Sequence, residues 1–247
     1  MLRTFLASRP ILAKVMVFIL CLVIVASLYG IALLLLARQL PVYQKYWQAR
    51  AVEPAAANAI TYIAMGDSTA QGIGATSPNK GYVGLIAEAI TQKTGRPVHL
   101  INISKSGAKV DDVLYEQLPR LQELKVDENT VITIEIGAND AAHNFNAQQF
   151  ENSTKQLLTK LPKQAIISDL PYFGKGRLAK QESTIQEANQ ILNRMAMENG
   201  RTLAPLHEIT QQHASWLNNA LDLFHPSNRG YENWYLVFWK QLQPTIQ

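Results

Sequence analysis

The chain has 247 residues, of which 47% are hydrophobic, which is enough to bury the core of one sizeable domain. Its formal net charge of +4 belongs to the first fifty residues, which hold six Lys and Arg and no Asp or Glu. The rest of the chain is slightly acidic and has no basic stretch interleaved with aromatic residues, so the sequence gives little support to nucleic-acid binding. The single cysteine, Cys21, excludes an internal disulfide.

An uncharged apolar run extends from Val15 to Ala37. With a helical rise of about 1.5 Å per residue, it is long enough to span the roughly 30 Å hydrocarbon core of a bilayer. A cleaved signal peptide is the alternative, but its apolar region is usually only about 7 to 15 residues long and ends in a small-residue cleavage site. We therefore predict a single-pass membrane protein, with a short basic segment over 1–14 and an uncleaved transmembrane signal anchor over 15–37. Basic residues flank the run almost evenly, and the free N terminus tips the orientation toward a domain on the extracytoplasmic side.

Residues 38–59 begin with aromatic and basic side chains and then turn to proline and alanine. Tyr43, Tyr46 and Trp47 suit a membrane interface and the later part suits a tether, which predicts a juxtamembrane linker. A helix that continues from the membrane before a shorter linker is an equally good interpretation.

From Ile60 onward, short apolar runs alternate with longer segments of helical periodicity. The predicted strands cover 61–65, 98–103, 130–136, 165–168 and 202–205, and the predicted helices cover 84–93, 111–124, 147–161, 182–199 and 231–242. This alternation is typical of a parallel sheet that is covered on both faces. We therefore predict an α/β protein in which residues 60–247 form one domain, a three-layer α/β/α sandwich. Ligands of such sheets bind beyond the carboxyl ends of the strands.

Small polar residues follow three of these predicted strands. The first strand ends in GDS at 66–68, the second leads to SKSG at 104–107, and the third ends in GAND at 137–140. Together they place a hydroxyl, a backbone N–H freed by glycine and a side-chain amide at one rim, although each stretch alone is ordinary for a loop.

A further polar pair lies near the C terminus, where Asp222 precedes His225 by three residues. Serine is a poor nucleophile until a base takes its proton, and the base needs an orienting group. If the last loop returns over the same rim, Asp222 can hold one ring nitrogen of His225 while the other faces Ser68.

These four stretches, in this order, resemble the motif blocks of the SGNH hydrolase superfamily, also called GDSL esterases and lipases. The similarity covers roughly residue 60 to the C terminus. It implies a flavodoxin-like fold, with Ser68 as the nucleophile, His225 as general base and then acid, and Asp222 as its orienting group. It also implies an oxyanion hole made by the backbone N–H groups of Ser68 and Gly107 and the side-chain amide of Asn139.

We expect a membrane-anchored serine hydrolase that cleaves carboxylic esters or thioesters through an acyl-enzyme. Its expected partners are a small ester or an acylated lipid or glycan. The alternatives are an O-acyltransferase or deacetylase of envelope glycans or lipids, and a non-catalytic envelope-binding module. The glycine-rich stretches lack a dinucleotide fingerprint and a P-loop, and the histidines lack metal-ligand spacing, so we predict neither a cofactor nor a metal.

Several residues near the rim receive structural interpretations. Asp67 and Asp140 are expected to brace their loops, and the orientation of Lys105 is left open. Residues 171–180 form either a wall or lid of the substrate cleft or a plain surface loop. Tyr231, Trp234, Tyr235 and Phe238 repeat at helical spacing, which favours one buried helix face.

Overall fold

The computed structural model describes residues 2–246, with side chains from Leu12 onward. The chain divides into two compact units, Met1–Arg38 and Gln39–Gln247. A first helix, α1, runs over Leu2–Ala51 and so belongs to both units. Its segment Leu12–Ala51 is long and apolar enough to cross a membrane, with a mean hydropathy of 2.9 over its most apolar stretch. Such a helix near the N terminus fits a membrane anchor and also fits a signal sequence.

The second unit includes the last part of α1, where a linker was one of two expectations. Tyr43 and Trp47 are buried rather than placed at an interface with lipid, with 5% and 2% of their surfaces exposed. The indole Nε1 of Trp47 donates a hydrogen bond to the carbonyl of Gln71 at 2.9 Å. Aromatic residues suit a protein core as well as a membrane interface, which is why the composition could not separate the two. The compact unit therefore begins at Gln39 rather than at Ile60.

A parallel five-stranded sheet forms the centre of the second unit, in the order β2-β1-β3-β4-β5. The strands are β1 Ile60–Gly66, β2 Val98–Asn102, β3 Val131–Glu135, β4 Ile166–Ser168 and β5 Thr202–Ala204. All five were predicted within two residues, and the order is that of a flavodoxin-like fold, which confirms the predicted fold class. The strand order reverses between β1 and β3, so the loops after these strands diverge and leave a crevice at their carboxyl ends.

Helices cover both faces of this sheet. They are α2 Tyr82–Thr94, α3 over 110–123, α4 Ala138–Ala142, α5 Ala147–Lys160, α6 Glu182–Glu198, α7 Leu206–Gln212 and α8 Asn228–Leu242, with 3₁₀ turns at Pro78–Lys80, Ala179–Gln181, Trp216–Asn218 and Gln243–Thr245. Helix α3 contains a π-helical turn, Val113–Gln117, between two α-helical pieces. Short α4 and α7 were not predicted, because one or two turns carry too little periodicity to be recognised.

Two apolar clusters pack on opposite faces of the sheet and make the three layers. One contains Ile63, Ile132 and Ile134 with the inner faces of α3, α5 and α6. The other contains Tyr62 and Ala64 with α2, α8 and Trp47. Tyr231, Trp234 and Phe238 of α8 are buried in this second cluster, as their spacing predicted, and Tyr235 packs against it.

Candidate active site

The rim at the end of β1 begins with a glycine that no other residue can replace without strain. Gly66 has a φ of +133°, and a Cβ placed on it would lie 2.1 Å from the carbonyl oxygen of Glu135 on the neighbouring strand. The buried amide of Gln117 accepts from the Gly66 N–H at 2.9 Å and donates to its carbonyl at 2.8 Å. Gln117 ends the π-helical turn of α3, which is the kind of irregularity often found at functional sites. The backbone that presents Ser68 is therefore fixed from both sides.

Ser68, His225 and Asp222 lie in one hydrogen-bonded chain. The Ser68 Oγ is 2.9 Å from Nε2 of His225, and Nδ1 of His225 is 2.6 Å from Oδ2 of Asp222. Oδ1 of Asp222 also accepts from the backbone N–H groups of Phe224 and His225, each at 3.1 Å. Partial burial opposes ionisation of Asp222, but the hydrogen bond and charge of His225 outweigh it and hold the pKa of this carboxyl below its ordinary value. The fold thus brings Ser68, near the start of the predicted domain, into contact with His225, near its end.

The loop that carries His225 is held by neighbouring segments. The Ala220 N–H donates to the His225 carbonyl at 2.8 Å, and the Arg177 N–H donates to the Leu223 carbonyl at 2.6 Å. Phe173 stacks on Phe224, with ring centroids 6.0 Å apart and planes 12° apart. The sequence left two interpretations of segment 171–180, a wall or lid of the cleft and a surface loop. Through Arg177 and Phe173, this segment packs against the loop of His225 and holds it in place. A cleft lies between them, lined by Phe173, Lys175, Asn219, Phe224 and Trp234 among others, and Ser68 is not part of its lining.

Two of the three predicted oxyanion donors are unoccupied within the part of the chain that the structure describes. The backbone N–H groups of Ser68 and Gly107 donate to no protein acceptor there. Gly107 is exposed, with a φ of +80° and open space where a side chain would stand. Asn139 differs, because Nδ2 donates to Oδ2 of Asp67 and to the Ala108 carbonyl, both at 3.0 Å. These two bonds connect Asn139 to the loops that follow β1 and β2, and they use both of its amide hydrogens.

A buried carboxyl network lies directly behind Ser68. The N–H and Oγ1 of Thr69 bond Oδ1 of Asp67 at 2.8 and 2.9 Å, and the same hydroxyl makes a short bond with Oε2 of Glu135. A hydroxyl has one hydrogen, so it cannot donate to two carboxylates, and one of the two acids must itself carry a proton. Asp67 also accepts from Asn139, whereas Oε1 of Glu135 is buried without a partner among the described residues.

The protonated member of this pair is Glu135. Burial raises the pKa of Asp67, but the hydrogen bonds from Thr69 and the charge of His225 oppose the shift. Burial raises the pKa of Glu135 well above its ordinary range, and the nearby charge of Asp67 raises it further. Glu135 therefore donates its proton to Thr69, which donates to an ionised Asp67, and Asp67 holds Asn139.

Lys105 and Asp140, two other residues at the rim, make structural contacts. Lys105 turns to Glu116, with Nζ 2.7 Å from Oε2, and both side chains are about half exposed. Oδ2 of Asp140 accepts from the Val110 N–H at 3.1 Å, and burial raises the pKa of Asp140 to about 6. Among the residues that the structure describes, no group of three His, Cys, Asp or Glu side chains could hold a metal ion.

Sequence analysis did not identify three residues that stabilise the rim, Gln71, Gln117 and Glu135. Gln117 and Gln71 lie outside the motif blocks, and Gln71 ties two loops by donating to the Ser104 carbonyl at 3.0 Å and accepting from Ser106 Oγ at 2.6 Å. Nothing in the sequence near either glutamine marks it. Glu135 did leave a signal, since it is an acid at the end of an otherwise apolar strand, where an ionised carboxylate would be costly.

Comparisons with known proteins agree with this fold. The chain is similar to LAE5, an alpha/beta hydrolase from the metagenome of Lake Arreo, Spain, with 19% identity, a TM-score of 0.62, and 78% of this chain and 99% of that chain covered. It is similar to TesA, with 18% identity, a TM-score of 0.63, and 75% and 99% covered. For Axe2, an acetylxylan esterase from Geobacillus stearothermophilus, the values are 16%, 0.57, and 78% and 98%. No curated protein matches the chain.

Residues 64–232 match the model of the GDSL-like lipase/acylhydrolase family. This match covers more than half of the chain, so the chain belongs to that family. It is an enzyme of the GDSL or SGNH type, a hydrolase that acts on ester bonds.

Proposed function

We propose that the protein is a serine esterase that works through an acyl-enzyme on Ser68. The observation that carries the proposal is the continuous chain from Ser68 Oγ through His225 to Asp222, with contacts of 2.9 and 2.6 Å. These distances lie within the range that proton transfer to a general base requires. The lowered pKa of Asp222 supports its role as the ionised partner that keeps a proton on Nδ1 of His225.

In the proposed reaction, Oγ of Ser68 forms a bond to the carbonyl carbon of the ester while its proton moves to Nε2 of His225. The tetrahedral intermediate collapses, the bond to the alcohol oxygen breaks, and His225 returns the proton to that oxygen. Water then attacks the acyl-enzyme with His225 again as base, and the second intermediate releases the acid and restores the Ser68 hydroxyl. The alcohol leaves with the proton that came from Ser68, and the attacking water supplies the proton that restores the Ser68 hydroxyl, so the complete cycle returns the enzyme to its starting protonation state.

The oxyanion is proposed to form beside the free N–H groups of Ser68 and Gly107. Both donors are unoccupied within the described residues, which supports this role. Asn139 is proposed as the third donor, and it must then share or exchange one of its two protein bonds as the negative charge develops. Removing one such donor typically lowers turnover by about 100- to 1,000-fold.

Carboxylic esters or thioesters are the proposed substrates. Membrane attachment through residues 15–37, with the catalytic unit on the extracytoplasmic side, is part of the same proposal, and the apolar helix supports it by length and composition. Transfer of the acyl group to a sugar or lipid hydroxyl shares the acyl-enzyme, so product analysis with candidate acceptors separates it from hydrolysis.

The test is labelling of the full chain with a fluorophosphonate, followed by mass spectrometry of the modified peptide. We expect the adduct on Ser68, and its loss in His225→Gln. Ser77→Ala is the matched control, because this serine lies in the loops after β1 and its side chain makes no capping hydrogen bond. Labelling elsewhere, or unchanged hydrolysis of p-nitrophenyl acetate by Ser68→Ala, would overturn the proposal.

A further inference from the structure

Four large apolar side chains are exposed on the segment that leads into His225, and Leu221, 52% exposed, is one of them. The other three are Trp216, which is 71% exposed, Leu217, 45% exposed, and Leu223, 46% exposed. We call these three side chains the apolar rim. They stay close to the site because the segment folds back on itself, with Asn219 bridged to Pro226. Exposed apolar side chains on a segment that leads into a candidate active site point to an interaction surface.

Leucine is an unexpected residue at position 223 because of the backbone conformation there. Its φ is +55°, a left-handed conformation that glycine or asparagine adopts far more readily. The turn uses only the backbone of Leu223, whose N–H donates to the Ala220 carbonyl at 3.0 Å and whose carbonyl accepts from the Arg177 N–H at 2.6 Å. The fold therefore tolerates an unfavourable conformation at a position where it gains an exposed apolar side chain.

The second unit begins at this same end of the sheet. The side chain of Gln39, its first residue, accepts from the Gly74 N–H at 2.8 Å and donates to the Ala75 carbonyl at 3.0 Å. Gly74 lies against the loop of the site, because a Cβ on it would be 2.9 Å from Cβ of His225 and 2.4 Å from the Pro226 carbonyl. Gln39, the first residue of the second unit, thus lies at the end of this unit where Ser68 lies.

Basic residues flank the apolar rim. Asn219 donates to the Lys175 carbonyl at 3.3 Å and Arg177 donates to the Leu223 carbonyl, so both basic residues lie on the segment packed against the rim. Both are exposed. Exposed lysine and arginine beside apolar side chains suit a surface of anionic lipid head groups.

We propose that the apolar rim docks on a lipid bilayer, so that Ser68 acts on acyl esters of membrane lipids. The inference rests on the proposed serine mechanism. Tryptophan favours the membrane interface and leucine gains from burial among acyl chains. A bilayer is favoured over a protein partner because the apolar segment 15–37, long enough to cross one, comes just before Gln39 in the chain.

The first test compares two substrates on one preparation. The full chain is reconstituted into vesicles of phosphatidylcholine and phosphatidylglycerol, and release of fatty acid from vesicle lipid is measured beside hydrolysis of soluble p-nitrophenyl acetate. We expect Trp216→Ser combined with Leu217→Ser to lower the lipid rate about tenfold or more and to leave the soluble rate within about twofold. Leu236→Ser is the matched control, since this leucine of α8 is 56% exposed outside the rim, and it should change neither rate.

A second variant and a binding measurement distinguish a loss of docking from a folding defect. Leu223→Asn keeps a residue that tolerates the left-handed conformation, so we expect unchanged thermal stability with a lower lipid rate. Brominated acyl chains in the vesicles should quench fluorescence of the wild type more than that of Trp216→Phe.

The outcomes separate the two proposals. Equal loss of both rates in the rim variants, an unchanged lipid rate, or a wild type that hydrolyses the soluble ester and no vesicle lipid would overturn docking on a bilayer and leave the serine mechanism standing. Hydrolysis of both substrates by Ser68→Ala would overturn the proposed function instead.

Discussion

The protonated state of Glu135 predicts how stability depends on pH. Glu135 is fully buried, and its pKa is raised first by burial and then by the charge of Asp67. In the unfolded chain the same carboxyl loses its proton near pH 4.5. Above that pH the folded protein therefore holds one more proton at Glu135 than the unfolded chain does. Stability contributed by this proton is complete below about pH 4.5 and falls as pH rises toward the folded pKa.

Glu135→Gln removes this dependence while keeping the hydrogen bond. The amide can donate to Thr69 Oγ1 as the protonated acid does, and it does not titrate. Each pH unit above the unfolded pKa costs the wild type roughly 1.4 kcal/mol, a tenfold change in the folding equilibrium, until Glu135 ionises in the folded state. We therefore expect the variant to match the wild type near pH 5 and to become progressively more stable than the wild type toward pH 8.

The assay is urea unfolding of the full chain in non-ionic detergent at pH 5, 6, 7 and 8, followed by tryptophan fluorescence. All four tryptophans lie within the second unit, so the signal reports that unit alone. Glu123→Gln, at an exposed glutamate, should give a free energy of unfolding that parallels the wild type across this range. Parallel curves for Glu135→Gln and the wild type would refute a protonated Glu135.

Three further predictions test the framework of the site. Asp222→Asn should leave the urea midpoint nearly unchanged and lower kcat on p-nitrophenyl acetate by about 10⁴-fold, because the amide no longer selects the required tautomer of His225; a loss below tenfold would remove Asp222 from the mechanism. Gln117→Met should cost about 2 to 5 kcal/mol in urea unfolding, because the N–H and carbonyl of Gly66 both lose a buried partner; an unchanged midpoint would contradict this. Trp47→Ala should lower stability by about 3 to 5 kcal/mol, and a loss under about 1 kcal/mol would show that this part of α1 is not part of the core.

Local pattern was enough to predict the sheet and the motif blocks. The strands β1 to β5 are short apolar runs between helical segments, and that alternation has one common solution, a parallel sheet covered on both faces. Because parallel strands end on the same edge, the polar residues that follow β1 and β3 could be assigned to one rim. The position of His225 on that rim followed only from resemblance, since 157 residues separate it from Ser68.

The sequence by itself thus determined the fold class, the family motifs and the identity of the candidate nucleophile, base and orienting acid, because each depends on periodicity or short spacing. Only the tertiary structure decided that Trp47 belongs to the core, that Gln117 clamps Gly66, and that Glu135 shares a proton network with Asp67. These facts depend on contacts between residues 24 to 66 positions apart in the chain. A side chain's burial and the charge state that burial imposes arise only when distant segments pack together, so no local pattern encodes them.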